Sequence, residues 1–362
     1  MYKRTVAVEQ ELGIRGPKPH RITDQASSLI APATWESPRF LEDRDQIETI
    51  LFETAQNAHP PITDVISHIA DYGKSLCSSL VLLTTQISRE PGNPGPAGSR
   101  SCLAAASVEM LFAGVRHHAT IENHSAECRR DQVMSDNLRW NNGLAILGGD
   151  HLLARSTEIA SELGQWHAQL IAQTLRSVCD SHIAETESLF RTDRTVQHYF
   201  DSVGGNTSAL FSAACALGAR EGEADIDEIS LFAEFGSKLG VTFQIVDDVL
   251  NLIGNRAKLG PVGVDLIKGV YTLPILYGFS RGVSLPEMID CEGPVYKIKE
   301  TGLDSLVSCG AVSDAIGVAT ESWADALSYI DHYLDRPQPA GRALVSLGET
   351  ILESAMSAEG RL

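Results

Sequence analysis

The chain is 362 residues long, with 43% hydrophobic and 21% charged residues, proportions that exclude wholesale disorder and a fibrous repeat. Twenty-nine Lys and Arg against 47 Asp and Glu leave a net charge of −18. That balance argues against a nucleic-acid partner, and any phosphate-bearing ligand would have to be met by metal ions or a local basic cluster.

The first 44 residues are of mixed character, with Pro17, Pro19, Pro32 and Pro38, and read as an irregular N-terminal extension. From Asp45 the pattern turns helical: Ile47, Ile50, Leu51 and Ala55 recur at helical spacing. A second helical stretch is expected over 62–87, followed by a Pro/Gly-rich loop at 91–100. Long helical patterns follow at 101–123, 137–163, 165–188, 195–219 and 227–254. Shorter ones are expected at 271–281, 285–299, 311–332 and 339–356. Alternating strand patterns are almost absent. The expected fold is all-α: one domain over 45–362, a bundle of antiparallel helices around a central cavity.

The cysteines are scattered, odd in number at seven, and form no CxxC, which fits reduced thiols in the cytoplasm. No apolar core follows the basic residues at the start, so no secretory signal is expected. The longest apolar runs, such as Leu80–Leu83, are far too short for an integral membrane segment.

The segment richest in chemistry is LGVTFQIVDDVLNLIGN at 239–255. On a helix, Asp247 and Asn251 share a face as i and i+4, with Asp248 close beside. Two carboxylates and an amide oxygen then form an all-oxygen set suited to a hard cation such as Mg²⁺. The surrounding run is apolar, so Gln244, Asp247 and Asp248 would be carried into the interior, where their polarity must be satisfied. A solvated or helix-capping aspartate pair is the simpler alternative for two adjacent aspartates alone. A second polar group, His117, His118, Glu122, His124, Glu127 and Cys128, has helical spacings that would suit a transition metal or plain polar filling.

These stretches resemble the trans-isoprenyl diphosphate synthases, the polyprenyl synthetases. GVTFQIVDDVLN is similar to that family's second aspartate-rich motif, with Asn251 where a third aspartate is usual. KLGPVGVDLIKGVYTLPILYG at 258–278 is similar to the stretch that follows it, with Asp265 in place. DYGKSLCSSLVLL, VEMLFAGVRHHATIENHSAECRR and GGNTSALFSAACALGA resemble, in order, the Gly–Lys segment, the helix of the first aspartate-rich motif and the Lys–Thr helix. The resemblance implies a prenyl diphosphate substrate and Mg²⁺ held by Asp247, Asp248 and Asn251. Catalytic work would fall to Asp247, Asp248, Gln244 and Asn251. Substrate contacts would come from Lys74, Arg129, Arg130, Thr207 and Asp265, with Phe112, Gly114 and Val115 shaping the cavity. Gly114 and Val115, both small, would leave room for a long chain. The family's dimers imply a homodimer, or a heterodimer with an active homologue.

The sequence departs from the family at defined places. The first motif reads Ala119, Thr120, Ile121, Glu122, Asn123, without an aspartate. Cys77 and Ser78 replace Arg and Pro, Phe112 replaces His, and Asn206 and Val270 replace Lys. Three readings stay open. The chain is an enzyme diverted to a terpene-synthase or cyclase-like reaction, a catalytically silent partner subunit, or an elongating transferase in which Glu122 or Glu127 compensates.

Overall fold

A computed structural model describes residues 38–59, 62–63, 76–89, 98–119, 132–254, 263–290, 297–335 and 339–359. Lys74, Thr120–Asp131 with Arg129 and Arg130, and most of the Pro/Gly-rich loop lie outside these residues. So do Glu122, His124, Glu127 and Cys128 of the second polar group.

Helix α1, Pro38–Gln56, begins seven residues before the expected start at Asp45 and buries Phe40, Ile47, Leu51 and Ala55 on one face. Helix α2, Leu76–Ser88, is buried on nearly all sides. Two of its buried hydroxyls are satisfied within the helix: Thr84 Oγ1 donates to Leu80 O at 2.7 Å and Thr85 Oγ1 to Val81 O at 2.8 Å. At its N-terminus the Ser78 amide donates to the buried Glu109 carboxylate at 3.0 Å, an anion where unpaired amides and the helix dipole favour one.

Glu109 belongs to α3, Gly98–Ala119, which packs along α4, Gln132–Leu163. Helix α5, Gln165–Glu187, follows α4 directly. The single helical pattern over 195–219 is in fact three elements: α6, Val196–Val203, a π-helical turn Gly204–Ser208, and α7, Ala209–Glu221. Such an inserted turn widens the helix locally and is a frequent mark of functional sites.

Helix α8, Ile226–Ile253, is the centre of the arrangement and packs on α7 and the π turn. Its start is fixed by a capping box: Asp225 Oδ1 accepts from the amides of Asp227 and Glu228 at 3.0 and 2.9 Å, and Glu228 Oε2 accepts from the Asp225 amide. After α8 come α9, Val264–Ile267, and α10, Leu273–Ser280. The helix expected over 285–299 is corrected. Only Leu285–Met288 is helical, α11, and Ile289–Asp290 and Lys297–Ile298 form a two-stranded antiparallel ribbon, β1 and β2. A further helix not anticipated from the sequence, α12, spans Glu300–Ser308. Helices α13, Ala311–Leu334, and α14, Pro339–Glu359, close over α8 and give the all-α class its last layer. Among the described residues no single helix is long and apolar enough to cross a membrane; the bent pair α12 and α13 meets that test together, and α13 packs its apolar face on α8.

One buried ion pair ties the far end of the bundle. His167 Nε2 donates to Glu221 Oε1 at 2.7 Å with both side chains about 5–6% exposed, and Arg100 Nε donates to Glu221 Oε2 at 3.2 Å. Burial raises the Glu221 carboxyl, but the bonds from His167 and Arg100 overcome it and leave the group below its ordinary value. A folded-state value below the unfolded one gives stability that is present above the unfolded carboxyl range and is lost as pH falls through the folded value. Glu221→Gln is therefore expected to cost about 2 kcal/mol at pH 7. The urea midpoint of wild type should exceed that of the variant at neutral pH and fall toward it as pH drops below the ordinary carboxyl value of about 4.5.

Candidate functional site

Helix α8 carries Gln244, Asp247, Asp248 and Asn251 on adjoining faces, and the last three are 6%, 2% and 8% exposed. An alternating polar pattern would have placed them in water; the apolar run on either side carries them inside. A hydrogen-bonded chain fixes Asp248. Thr207 Oγ1, on the π turn, donates to Gln244 Oε1 at 2.6 Å. Gln244 Nε2 donates to Asp248 Oδ1 at 2.9 Å, and Tyr199 Oη of α6 donates to Asp248 Oδ2 at 2.6 Å. Each Asp248 oxygen keeps a second lone pair.

Asp265 lies half-buried in the first turn of α9, which is tied to α8 by the Gly263 amide donating to Asn251 O at 2.6 Å. Burial pushes the Asp248 carboxyl well above the usual carboxylate range. The Tyr199 and Gln244 hydrogen bonds oppose this, while the charges of Asp265 and Asp247 reinforce it. Burial and Asp248 likewise push the Tyr199 hydroxyl up, against the pull of Arg194. A carboxylate in this position is relieved by a cation.

The donor set is all oxygen, two carboxylates and an amide, and fits a hard divalent cation that takes its remaining ligands from water or a phosphate. Among the described residues, no group of three or more His, Cys, Asp or Glu side chains closes into a complete metal site.

The structure gathers Thr207, Gln244, Asp247, Asp248, Asn251 and Asp265 into one place. It does not link Phe112, Gly114 or Val115 to them by any described contact. Phe112 is half-buried with the Arg116 guanidinium 5.6 Å from its ring centre, and Val115 is buried. At Gly114 a Cβ would lie 2.9 Å from Leu153 and 3.0 Å from Gly149 O, so its small size serves the close crossing of α3 and α4. Cys77 and Ser78 are both 1% exposed, and burial, with the nearby Glu109 charge, holds the Cys77 thiol protonated. Asn206 Nδ2 lies 3.0 Å from His182 Nε2, and burial lowers the His182 imidazole.

Tyr199 and Arg194 were not anticipated. The signal for Tyr199 was its place on the helix leading to Thr207, eight residues earlier and on the same side once the π turn is counted. Tyr199→Phe keeps the ring packing and removes only the donor to Asp248. Mg²⁺ affinity, read by isothermal titration, is expected to fall about 10-fold with an unchanged circular dichroism spectrum.

The polyprenyl synthetase family profile matches residues 59–290. Heptaprenyl diphosphate synthase component 2 of Geobacillus stearothermophilus is 30% identical over 301 residues, 81% of this chain and 89% of that one. Dimethylallyltranstransferase of Mycobacterium tuberculosis is 27% identical over 319 residues, 86% and 93% of the two chains. Among solved structures, geranylgeranyl pyrophosphate synthase from Corynebacterium glutamicum, complexed with calcium and isoprenyl diphosphate, superposes with a TM-score of 0.67 at 25% identity, covering 90% of this chain and 98% of that one. Sequence profile, relatives and fold converge: the chain belongs to the polyprenyl synthetase family.

Proposed function

We propose that the chain binds an allylic prenyl diphosphate with Mg²⁺ at the α8 face and diverts it from elongation to a terpene-synthase or cyclase-like reaction. The observation that carries this reading is the hydrogen-bonded set of half-buried Thr207 and Gln244 with buried Asp248 and Tyr199, and buried Asp247 and Asn251 alongside. Oxygen donors held inside an apolar bundle are stable beside a cation and costly without one. Asp247, Asp248 and Asn251 would hold Mg²⁺, which when bound supplies positive charge to a departing diphosphate. Gln244 and Tyr199 fix the two oxygens of Asp248, and Thr207 fixes Gln244. Lys74, Arg129 and Arg130 would grip diphosphate oxygens by charge-assisted bonds. Phe112 and Val115 would form apolar wall. The buried Cys77 and Ser78, where a fork donor would be needed, support loss of the pocket for a second diphosphate. The relatives' names, and the calcium and isoprenyl diphosphate bound by the Corynebacterium enzyme, support the substrate class and the divalent ion.

A second reading, a partner subunit with little turnover of its own, is favoured by two facts. One relative is named as a component of a synthase. Ile146 and Leu147 on α4 and Ile183 on α5 are 43%, 55% and 61% exposed on two helices that pack together. That apolar face would suit a homodimer or a heterodimer with an active homologue. The same proposal takes residues 45–362 as one domain and 1–44 as its extension, with helix α1 crossing that boundary from Pro38. The free thiols among the described cysteines support a cytoplasmic setting.

The deciding experiment incubates the protein with Mg²⁺ and geranyl, farnesyl or geranylgeranyl diphosphate, with and without isopentenyl diphosphate. Pyrophosphate and a hydrocarbon or alcohol without isopentenyl diphosphate is the expected result. A longer diphosphate formed only with it would restore elongation. Silence in every tube would favour the partner subunit.

A further inference from the structure

Where α2 and α7 end and α3 begins lies a cavity of about 350 Å³. Its walls include Arg89, Ser99, Arg100, Arg220, Glu221 and Glu223. Two close approaches bring these elements together. A Cβ on Gly222 would lie 2.7 Å from Ser88 Cβ and 2.8 Å from Thr85 O, so the ends of α2 and α7 touch, and Arg89 follows directly after Ser88. Arg100, in the first turn of α3, donates from Nε to Glu221 Oε2 at 3.2 Å and from Nη2 to Leu163 O at 3.0 Å. The turn after α7 is fixed too. Glu223 holds a left-handed φ of 68° where glycine is usual, and the Ala224 amide donates to Ala219 O at 3.1 Å.

The cavity is positive in a chain of net charge −18: three guanidinium groups line it against two carboxylates. Glu221 is already shared by His167 and Arg100. The Arg220 guanidinium lies 5.7 Å from the Trp166 ring centre and makes no hydrogen bond or ion pair among the described residues. The ring holds the guanidinium plane and takes none of its N–H donors. Glu223 lines the same cavity and pairs with none of the three arginines. Guanidinium forks held in place with donors unspent match the oxygens of a phosphate. This place is remote from the aspartate centre. Helix α8 starts at Ile226, just past Glu223, and Asp247 lies near the other end of that 28-residue helix, about 30 Å away at the rise of an α-helix.

We propose that this cavity is a second, metal-independent anion site, in which Arg89, Arg100 and Arg220 grip a phosphate or diphosphate anion. It does not rest on the function proposed above. It needs neither Mg²⁺ nor the aspartates of α8, whose charge repels a bare anion. Glu223 opposes the anion from the same wall and sets an upper limit on its affinity. The two signs of charge give the site a signature. Removing an arginine weakens binding and removing Glu223 strengthens it, whereas residues that only shape the turn would not act in opposite directions.

The test titrates inorganic pyrophosphate into the full chain by calorimetry, with excess chelator and about 0.15 M salt to screen diffuse attraction. Wild type should bind pyrophosphate without metal. Arg89→Met and Arg220→Met should each weaken that binding about tenfold, with Arg220→Lys losing less. Glu223→Gln should tighten it about threefold, and Asp247→Asn should leave the metal-free affinity unchanged. No metal-free binding up to about 10 mM pyrophosphate would overturn the proposal, as would metal-free binding indifferent to Arg89 and Arg220. Pyrophosphate binding that appears only with Mg²⁺ and vanishes in Asp247→Asn belongs to the aspartate centre; it overturns the second site and leaves the function proposed above intact. Metal-free binding lost in Arg220→Met, with no further binding when Mg²⁺ is added, does the reverse.

Discussion

Asp248→Asn is expected to reduce Mg²⁺-dependent binding of a prenyl diphosphate by about 100-fold or more, while leaving thermal stability equal to wild type or higher. The two effects have one cause. Asp248 is 2% exposed, and burial together with the Asp265 and Asp247 charges holds its carboxyl far above the usual range. The folded protein without metal therefore carries an unfavourable group, and an amide of the same shape removes the charge penalty. The same change deletes a metal ligand and leaves Tyr199 and Gln244 to orient a side chain that cannot bind a cation strongly, a loss larger than that of a residue merely supporting a ligand. Isothermal titration of geranylgeranyl diphosphate with and without Mg²⁺ reads the first effect and a thermal melt the second. A variant that loses stability and binding in proportion would contradict the assignment of Asp248 as a site residue.

The second large effect is expected at Gly240. A Cβ there would lie 2.6 Å from Ser208 Cα and 3.0 Å from Ser208 N, which is backbone and cannot swing aside. Gly240→Ala must therefore push α8 and the π turn apart. Overpacking of this kind costs about 1–3 kcal/mol, and a rigid backbone contact belongs near the upper end. The displaced turn carries Thr207, whose bond to Gln244 begins the chain to Asp248. The urea midpoint should fall by the equivalent of about 2–3 kcal/mol and Mg²⁺ affinity should fall with it. An alanine variant with wild-type stability would show that the approach of the two elements is looser than described.

Helix α8 was legible because two signals coincide in it: an unbroken apolar run, and carboxylates placed within that run rather than beside it. The assembled site was legible in part for the same reason, since Gln244, Asp247, Asp248 and Asn251 sit on one helix and their spacing alone puts them together. Thr207 and Asp265 come from other elements and were readable only through family resemblance. The π turn was not readable, because one inserted residue leaves the apolar period on both sides intact. Residues 285–299 carry apolar positions that suit either a helix or a short ribbon; Pro286 is tolerated in the first turn, and the Gly293–Pro294 pair in mid-stretch decides against a long helix. The close crossing of α3 and α4 at Gly114 was not readable, because it depends on which helices meet there. Arg194 was hidden because a lone arginine between helices is usually solvated, and only the tertiary fold places it inside.

The measurement that bears most directly on the central claim is the titration of geranylgeranyl diphosphate into the wild-type chain, with Mg²⁺ and with the ion removed by chelation. Binding that requires Mg²⁺ and is lost in Asp247→Ala is the predicted result. Binding that is indifferent to both the ion and Asp247 would contradict a metal-dependent diphosphate site on α8.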